Sequence, residues 1–298
     1  MMKIGYPCIN YSIGKKTIST FRLSSYSEER IIQCINYNLA TLIKILKFNI
    51  DNNLMFFRIG SQTIPFASHP ICKFDWKDYF SSEFIKIGQL IKKHNIRISM
   101  HPDQFVLINA KNQDIVAKSI KELEYHADFL DLMQLDTSAK IQIHIGGVYG
   151  DKQESKKRFI LNYKYLLSDK VKKRLVIEND DHLYNLDDCL EIHHKIEIPI
   201  ILDIFHHECF GNNLSLIDAI NKTNYTWNHK KDGTMMIDYS NQEPNQRKGK
   251  HSRVLDMKKF LQFILSIKYI DLDIMLEIKD KEKSAKNARN LLDQINSD

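Results

Sequence analysis

Residues Ile200–His207 read Ile-Ile-Leu-Asp-Ile-Phe-His-His. Its apolar run is long enough for a strand buried on both faces, as in a parallel sheet. The run ends in side chains that commonly bind metals, Asp203, His206 and His207. A charge so close to a buried strand needs a partner or a metal, so the stretch predicts a metal site at a strand end.

The same pattern, an apolar run that ends in a carboxylate or a histidine, recurs along the chain. The other instances are Ile96–His101, Lys140–His144, Arg174–Glu178 and Ile274–Glu277. Because catalytic groups of a barrel gather at the C-terminal ends of its parallel strands, we expect these five strand ends to bring their polar side chains to one place.

Eight strand-like segments alternate with helical patterns over the whole chain. The strands are predicted at Lys3–Cys8, Leu54–Ile59, Ile96–Met100, Lys140–Ile145, Arg174–Ile177, Ile198–Ile204, Thr234–Ile237 and Asp273–Leu276. Helical periodicity marks 84–91, 115–133, 260–265 after the N-cap Asp256, and 285–295. Eight such units without a linker predict one domain, 1–298, of class α/β: a TIM (β/α)8 barrel with a metal site at the C-terminal ends of its strands. A doubly wound open sheet is the alternative, but the sequence lacks the Gly-rich first turn typical of that fold.

The composition is that of an ordinary globular chain. Of 298 residues, 43% are hydrophobic and 27% charged, and a net charge of +6 permits a nucleic acid partner without requiring one. Five widely spaced cysteines without a C-x-x-C pair argue against a disulfide framework and a cysteine zinc site. No apolar run approaches the roughly 18 residues of a membrane span. We therefore expect a cytoplasmic or nuclear protein with no membrane partner and no obligate protein partner.

The candidate metal ligands supply only nitrogen and oxygen atoms. They are His101, His144, Glu178, Asp203, His206 and Glu277. Such a set suits zinc or manganese and disfavours soft copper sites. Two or three divalent ions would activate water and stabilise the charge that develops in phosphodiester hydrolysis. His251 follows the basic loop Arg247-Lys-Gly-Lys250 and is either a further ligand, a phosphate contact or a surface histidine.

Several short motifs, each weak alone, occur in a specific order and spacing. They are Gly5-Tyr6-Pro7 with Asn10, Arg58-Ile-Gly-Ser-Gln-Thr-Ile-Pro65 with Ser68-His69, Ser99-Met-His-Pro-Asp-Gln-Phe105, His144-Ile-Gly-Gly147 with Tyr149-Gly150, Ile177-Glu-Asn-Asp180, Asp203-x-x-His-His207 and Glu277-Ile-Lys-Asp-Lys281. Together they resemble the UV damage endonuclease family. The resemblance runs from Tyr6 to about Lys281, nearly the whole chain.

The resemblance implies a barrel related to those of endonuclease IV and xylose isomerase, with three divalent metal ions, usually manganese. It implies a nick in duplex DNA immediately 5′ to cyclobutane pyrimidine dimers and 6-4 photoproducts, leaving a 3′-hydroxyl and a 5′-phosphate. The implied ligands are His101, His144, Glu178, Asp203, His206, His251 and Glu277. Glu178 and Glu277 would be the bridging, catalytic carboxylates. From its position two residues past Glu277, rather than from the resemblance, Lys279 is expected to face the site and neutralise a phosphate.

Damage recognition in the family uses a Gln-Tyr pair inserted into the duplex at the lesion, and here the pair is Gln104-Phe105. Phenylalanine can still wedge and stack where bases unstack. By the same resemblance, Tyr6 and Asn10 would contact the lesion or its partner strand, and His69 would lie near the site. From the residues alone, Phe105 and Tyr6 read as core and barrel packing. The last group of predicted DNA contacts, to the backbone, is Arg247, Lys248, Lys250 and Arg253.

The seventh strand departs from the family pattern. Met236 and Asp238 stand where the family has a lysine, modified in some members, and a metal-binding histidine. Asp238 can replace the histidine as an oxygen ligand, whereas Met236 cannot carry a lysine modification. The alternatives are an apurinic/apyrimidinic endonuclease on the same barrel, a sugar isomerase, and a damage sensor that has lost its chemistry.

Overall fold

Eight short strands, buried except for His144 at the end of β4, form the centre of the protein. The computed structural model describes residues 2–14 and 18–297. The strands are β1 (Ile4–Pro7), β2 (Phe56–Ile59), β3 (Arg97–Met100), β4 (Lys140–His144), β5 (Leu175–Glu178), β6 (Ile200–Asp203), β7 (Met235–Tyr239) and β8 (Leu272–Leu276). All eight predicted strands are confirmed. The main difference is at β6, which ends at Asp203 because a helix begins at Ile204.

The strands are parallel and close into a barrel in the order β1 to β8. Closure comes from β1, whose Gly5 pairs with Phe56 of β2 on one side and with Met275 of β8 on the other. A Cβ at Gly5 would collide with the backbone oxygen of Phe56, so only glycine permits this approach. The predicted TIM barrel is confirmed.

Helices connect the strands and cover the barrel. They are α1 (Glu28–Asp51), α2 (Trp76–Tyr79), α3 (Ser81–Lys93), α4 (Gln113–Leu132), α5 (Lys152–Leu166), α6 (Asp169–Arg174), α7 (Leu186–Ile196), α8 (Ile204–Cys209), α9 (Leu216–Tyr225), α10 (His229–Asp232), α11 (Met257–Ser266) and α12 (Glu282–Ser297). The predicted N-cap Asp256 accepts hydrogen bonds from the N–H groups of Lys258 and Lys259, both at 3.1 Å. Within the described part of the chain, no helix is both long and apolar enough to cross a bilayer.

Buried charges are paired at the N-terminal end of the barrel, whereas carboxylates predominate at the C-terminal end. At the N-terminal end, Lys140 at the start of β4 is fully buried and donates to Asp232 at 2.5 Å, so one cation meets one anion. At the C-terminal end, residues at or next to the ends of β5–β8 bring together four carboxylates. This end holds the predicted site.

Candidate metal centre

Glu178, the last residue of β5, lies at the centre of the site and is 1% exposed. Its Oε2 lies 3.2 Å from Nε2 of His101 and 3.6 Å from Nε2 of His144. Its Oε1 lies 3.2 Å from Nδ1 of His206. One carboxylate therefore joins three histidines that come from three other segments of the chain.

His206 reaches Glu178 because α8 begins directly after β6. Asp203, the last residue of β6, caps this helix: its Oδ1 accepts a hydrogen bond from the backbone N–H of His206 at 2.7 Å. The turn leaves His206 Nδ1 3.5 Å from Oδ2 of the same aspartate. His207, next in sequence, packs instead beside Gly211.

Arg58 and Gln142 connect the carboxylates on the opposite side. Nη2 of Arg58 donates to both oxygens of Asp238, at 2.7 and 2.8 Å, and to Oε1 of Gln142 at 2.7 Å. Nη1 donates to Oε1 of Glu277, which follows β8. Nε2 of Gln142 donates to Oε2 of Glu178 at 2.6 Å and to Oδ2 of Asp238 at 2.5 Å.

Atoms that could bind a metal come within 4.8 Å of one another in three overlapping groups. Two are histidine-containing clusters, His101–His144–Glu178 and Glu178–Asp203–His206, and the third is an acidic cluster, Asp203–Asp238–Glu277. We call the seven residues together the cup. The structure thus brings together seven of the eight predicted ligands.

The cup contains an excess of carboxylates, and the pKa values of these carboxyl groups are shifted by burial and by their charged neighbours. Burial opposes ionisation of Glu178, but His144, His101 and His206 outweigh it and hold the pKa of this carboxyl well below its ordinary value. Burial, together with the neighbouring carboxylates, raises the pKa of Asp203 well above its ordinary range. Burial likewise raises the pKa of Asp238 to about 7, even with Arg58 beside it. Carboxylates packed this closely are stable as anions only with additional cations.

The residues of the cup fit divalent metal ions. Oδ2 of Asp203 is buried and has no hydrogen-bond partner among the described residues, which leaves a lone pair free for a ligand bond. Imidazole nitrogens beside carboxylate oxygens suit zinc and manganese. The clusters could therefore hold metal ions.

His251, the eighth predicted ligand, lies at the edge of the cup on a hairpin between β7 and α11. Gln242 and His251 form an antiparallel bridge at the base of this hairpin. The His251 ring centroid is 5.7 Å from that of His206, and its Nδ1 lies 3.1 Å from the backbone oxygen of Glu277. The predicted basic residues lie on this hairpin and just after it: Arg247 and Lys248 are exposed, Lys250 is half-buried, and Arg253, two residues past His251, is exposed.

Among the predicted lesion contacts, Gln104 and Phe105 are exposed in the loop after β3. The Phe105 ring is 72% exposed, so the reading of this residue as core is wrong. His69 is exposed after β2, and its Nδ1 accepts from the N–H of Ile71. Lys279 is exposed as well.

Tyr6 and Asn10 correct an expectation. Neither has exposed surface, so in this structure neither side chain is available to DNA. The Tyr6 hydroxyl donates to Oδ1 of Asn49 at 2.6 Å and accepts from Nδ2 of Asn10 at 2.7 Å. Oδ1 of Asn10 accepts from the backbone N–H groups of Ser12 and Ile13. Both residues support the loop after β1, and barrel packing is the correct reading for Tyr6.

Three residues of the site had no predicted role. Arg58 and Gln142 interrupt buried strands with polar groups, and Gln142 lies two residues before His144, on the same face of β4. A polar residue within a buried strand was the signal in the sequence by which Arg58 and Gln142 could have been found. The third is Lys281, which lies between β8 and α12: burial lowers its pKa, while Cys8 and Glu277 act in the opposite direction, so this lysine is close enough to Glu277 to interact with it electrostatically.

Comparison with known proteins identifies the family. The family model described as UV-endonuclease UvdE matches residues 2–296. The UV DNA damage endonuclease of Clostridium perfringens is 44% identical over 296 residues, 99% of this chain and 72% of the relative. The chain belongs to the UV-endonuclease UvdE family. The resemblance stated from the motifs is therefore confirmed.

Solved structures agree with this membership of the UvdE family. The crystal structure of SacUVDE matches with a TM-score of 0.95 and 44% identity, covering 99% of each chain. Endonuclease IV from Thermus thermophilus matches with a TM-score of 0.59 and 13% identity, covering 86% of this chain and 95% of that one. The second likeness shows a shared barrel fold only.

Proposed function

We propose that this chain is a metal-dependent UV-damage endonuclease. It nicks duplex DNA immediately 5′ to cyclobutane pyrimidine dimers and 6-4 photoproducts and leaves a 3′-hydroxyl and a 5′-phosphate. The observation that carries the proposal is the cup, in which buried carboxylates and histidines meet at one barrel mouth in a chain of the UvdE family. The metal ions that the cup binds are manganese, with zinc as the alternative.

The metal ions supply Lewis acidity that activates water and stabilises charge on phosphate oxygens. His101, His144, Glu178, Asp203 and His206 would hold them. Glu277, at the edge of the cup, is 22% exposed, so its carboxylate could accept a hydrogen bond from water beside the scissile phosphate. His251 and Lys279 would complete the phosphate surroundings.

Recognition of the lesion would be separate from the chemistry. Gln104 and Phe105 stand out from the barrel mouth, where an exposed ring can enter a weakened base stack. Arg247, Lys248 and Arg253 would contact the DNA backbone and position the duplex without reading its sequence. An enzyme built in this way would recognise easily unstacked DNA, whatever its sequence.

The test is incision of end-labelled duplexes that carry one cyclobutane dimer, one abasic site or no damage, each with manganese and with EDTA. We expect a manganese-dependent cut just 5′ to the dimer and an intact undamaged strand. Cleavage of the abasic duplex alone would refute the proposed substrate and favour an apurinic/apyrimidinic endonuclease. Selective binding without any cleavage would refute the enzyme and indicate a sensor.

A further inference from the structure

The acidic cluster already contains a cation of the protein itself. Arg58 is 3% exposed and contacts two of the three carboxylates of this cluster, Asp238 and Glu277. Its side chain comes from β2, whereas Asp238 lies on β7, so the guanidinium spans the barrel. Arginine stays protonated at every pH at which a protein folds, and so this charge is permanent.

The two buried aspartates of the cluster differ in how their oxygens are occupied. Oδ2 of Asp238 accepts from both Arg58 and Gln142, and its Oδ1 accepts from Arg58. Oδ2 of Asp203 accepts no hydrogen bond from the described residues. A metal ion at Asp238 would share its carboxylate with the guanidinium, whereas an ion at Asp203 has an open oxygen.

Charge balance points in the same direction. Glu178, Asp203, Asp238 and Glu277 carry four negative charges when ionised, and Arg58 cancels one of them. Two divalent ions in the histidine-containing clusters would add four positive charges and bring the cup close to neutrality. A third ion beside the guanidinium would place two cations at the same carboxylates.

We propose that Arg58 occupies the acidic cluster as a resident cation, so that the cup binds two metal ions and Asp238 positions Arg58 without binding metal itself. This inference rests on the proposed metal dependence and departs from the three ions that the family resemblance implies. Through Gln142, the same network holds Glu178 in place. Arg58 is thus a positioning residue.

The test counts Mn²⁺ ions per chain without DNA, by equilibrium dialysis and elemental analysis at a free Mn²⁺ tenfold above the wild-type Kd. We expect two ions for the wild type and two for Asp238→Asn. Asp203→Asn should retain only one ion, because the substitution should lower the affinity for the other by at least about 100-fold. Asp203→Asn is the matched control, since it makes the same chemical change on the neighbouring strand.

Variants of Arg58 test the competition directly. Arg58→Gln removes the charge, so a third ion should enter the acidic cluster, whereas Arg58→Lys should keep the count at two. Three ions in the wild type, or loss of an ion from Asp238→Asn, would overturn the proposal. The aspartate pair gives this answer even if the Arg58 variants do not fold. Because no DNA is present, the count is independent of whether the protein incises damaged DNA.

Discussion

Glu178→Gln bears most directly on the proposed chemistry. The substitution keeps the volume of the side chain but removes a negative charge that two histidine-containing clusters share. One oxygen of Glu178 faces His101 and Gln142, and the other faces His206. Glutamine has one oxygen and one NH₂ group, so it can serve only one of these sides as an acceptor.

The expected size of the effect follows from burial. Removing one partner of a buried, hydrogen-bonded charge network costs about 3–5 kcal/mol. If the transition state loses this stabilisation, the incision rate falls by roughly two to four orders of magnitude, at about 1.36 kcal/mol for each tenfold change. Affinity for dimer-containing DNA should stay within about threefold, because Phe105 and the basic hairpin are unchanged.

The assay is single-turnover incision of a dimer-containing duplex at saturating manganese, with anisotropy for binding and circular dichroism for folding. Glu154→Gln is the control, since Glu154 is an exposed glutamate on α5, and its incision rate should equal that of the wild type. A folded Glu178→Gln protein that cuts within tenfold of the wild-type rate would refute the assignment of Glu178.

Four further outcomes are expected. Phe105→Ala should weaken binding to the dimer duplex by about 5- to 150-fold, measured by anisotropy, because one stacked base is worth about 1–3 kcal/mol; equal weakening on undamaged duplex would contradict a wedge role. Arg247→Ala with Lys248→Ala should reduce the salt slope of log K by about 2 and leave the preference for damage unchanged, as titrations of both duplexes from low to high salt will show. EDTA should abolish incision, and manganese at about 100 times its Kd should stabilise the protein by about 2.7 kcal/mol per site in urea unfolding. Burial lowers the pKa of His126 to about 4, so between about pH 6.5 and 4 the unfolded chain binds a proton that the folded chain does not, and stability falls as the pH falls through this window. On going from pH 7 to pH 4.5, His126→Gln should therefore lose about 2–3 kcal/mol less unfolding free energy than the wild type does, measured by unfolding both proteins at the two pH values.

The barrel and the residues that meet in the cup were predictable because a charged group at the end of a buried strand is a local signal. Glu178 and His144 each end a run of apolar residues, and strand direction alone places both at the same mouth. His206 was predicted as a ligand, but its placement on a helix was not. That placement depends on the cap at Asp203, which turns the chain one residue after the strand.

What the sequence could not show are the partners that lie far apart in the chain. Arg58 meets Asp238, 180 positions away, and Gln142, 84 positions away. Tyr6 was misplaced for the same reason, because its hydroxyl partner Asn49 is on α1, 43 positions away. A motif shows that a residue is polar and near a strand end, but whether it faces DNA or an internal partner is decided by the closed barrel.

The departure of β7 from the family pattern, at Met236 and Asp238, changes the charge of the cup through the pairing of Asp238 with Arg58. Met236 is buried and brings no charge to the cup, while Asp238 adds a carboxylate that Arg58 neutralises. The remaining negative charge falls on the side of Glu178 and Asp203, where it outweighs burial and raises the pKa of His206 to about 11. Without metal, His206 is therefore a cation that stabilises the carboxylates. A histidine must be neutral to bind a metal, so a metal ion that binds His206 releases a proton from its ring. The ion thereby replaces one positive charge with a larger one at the same place.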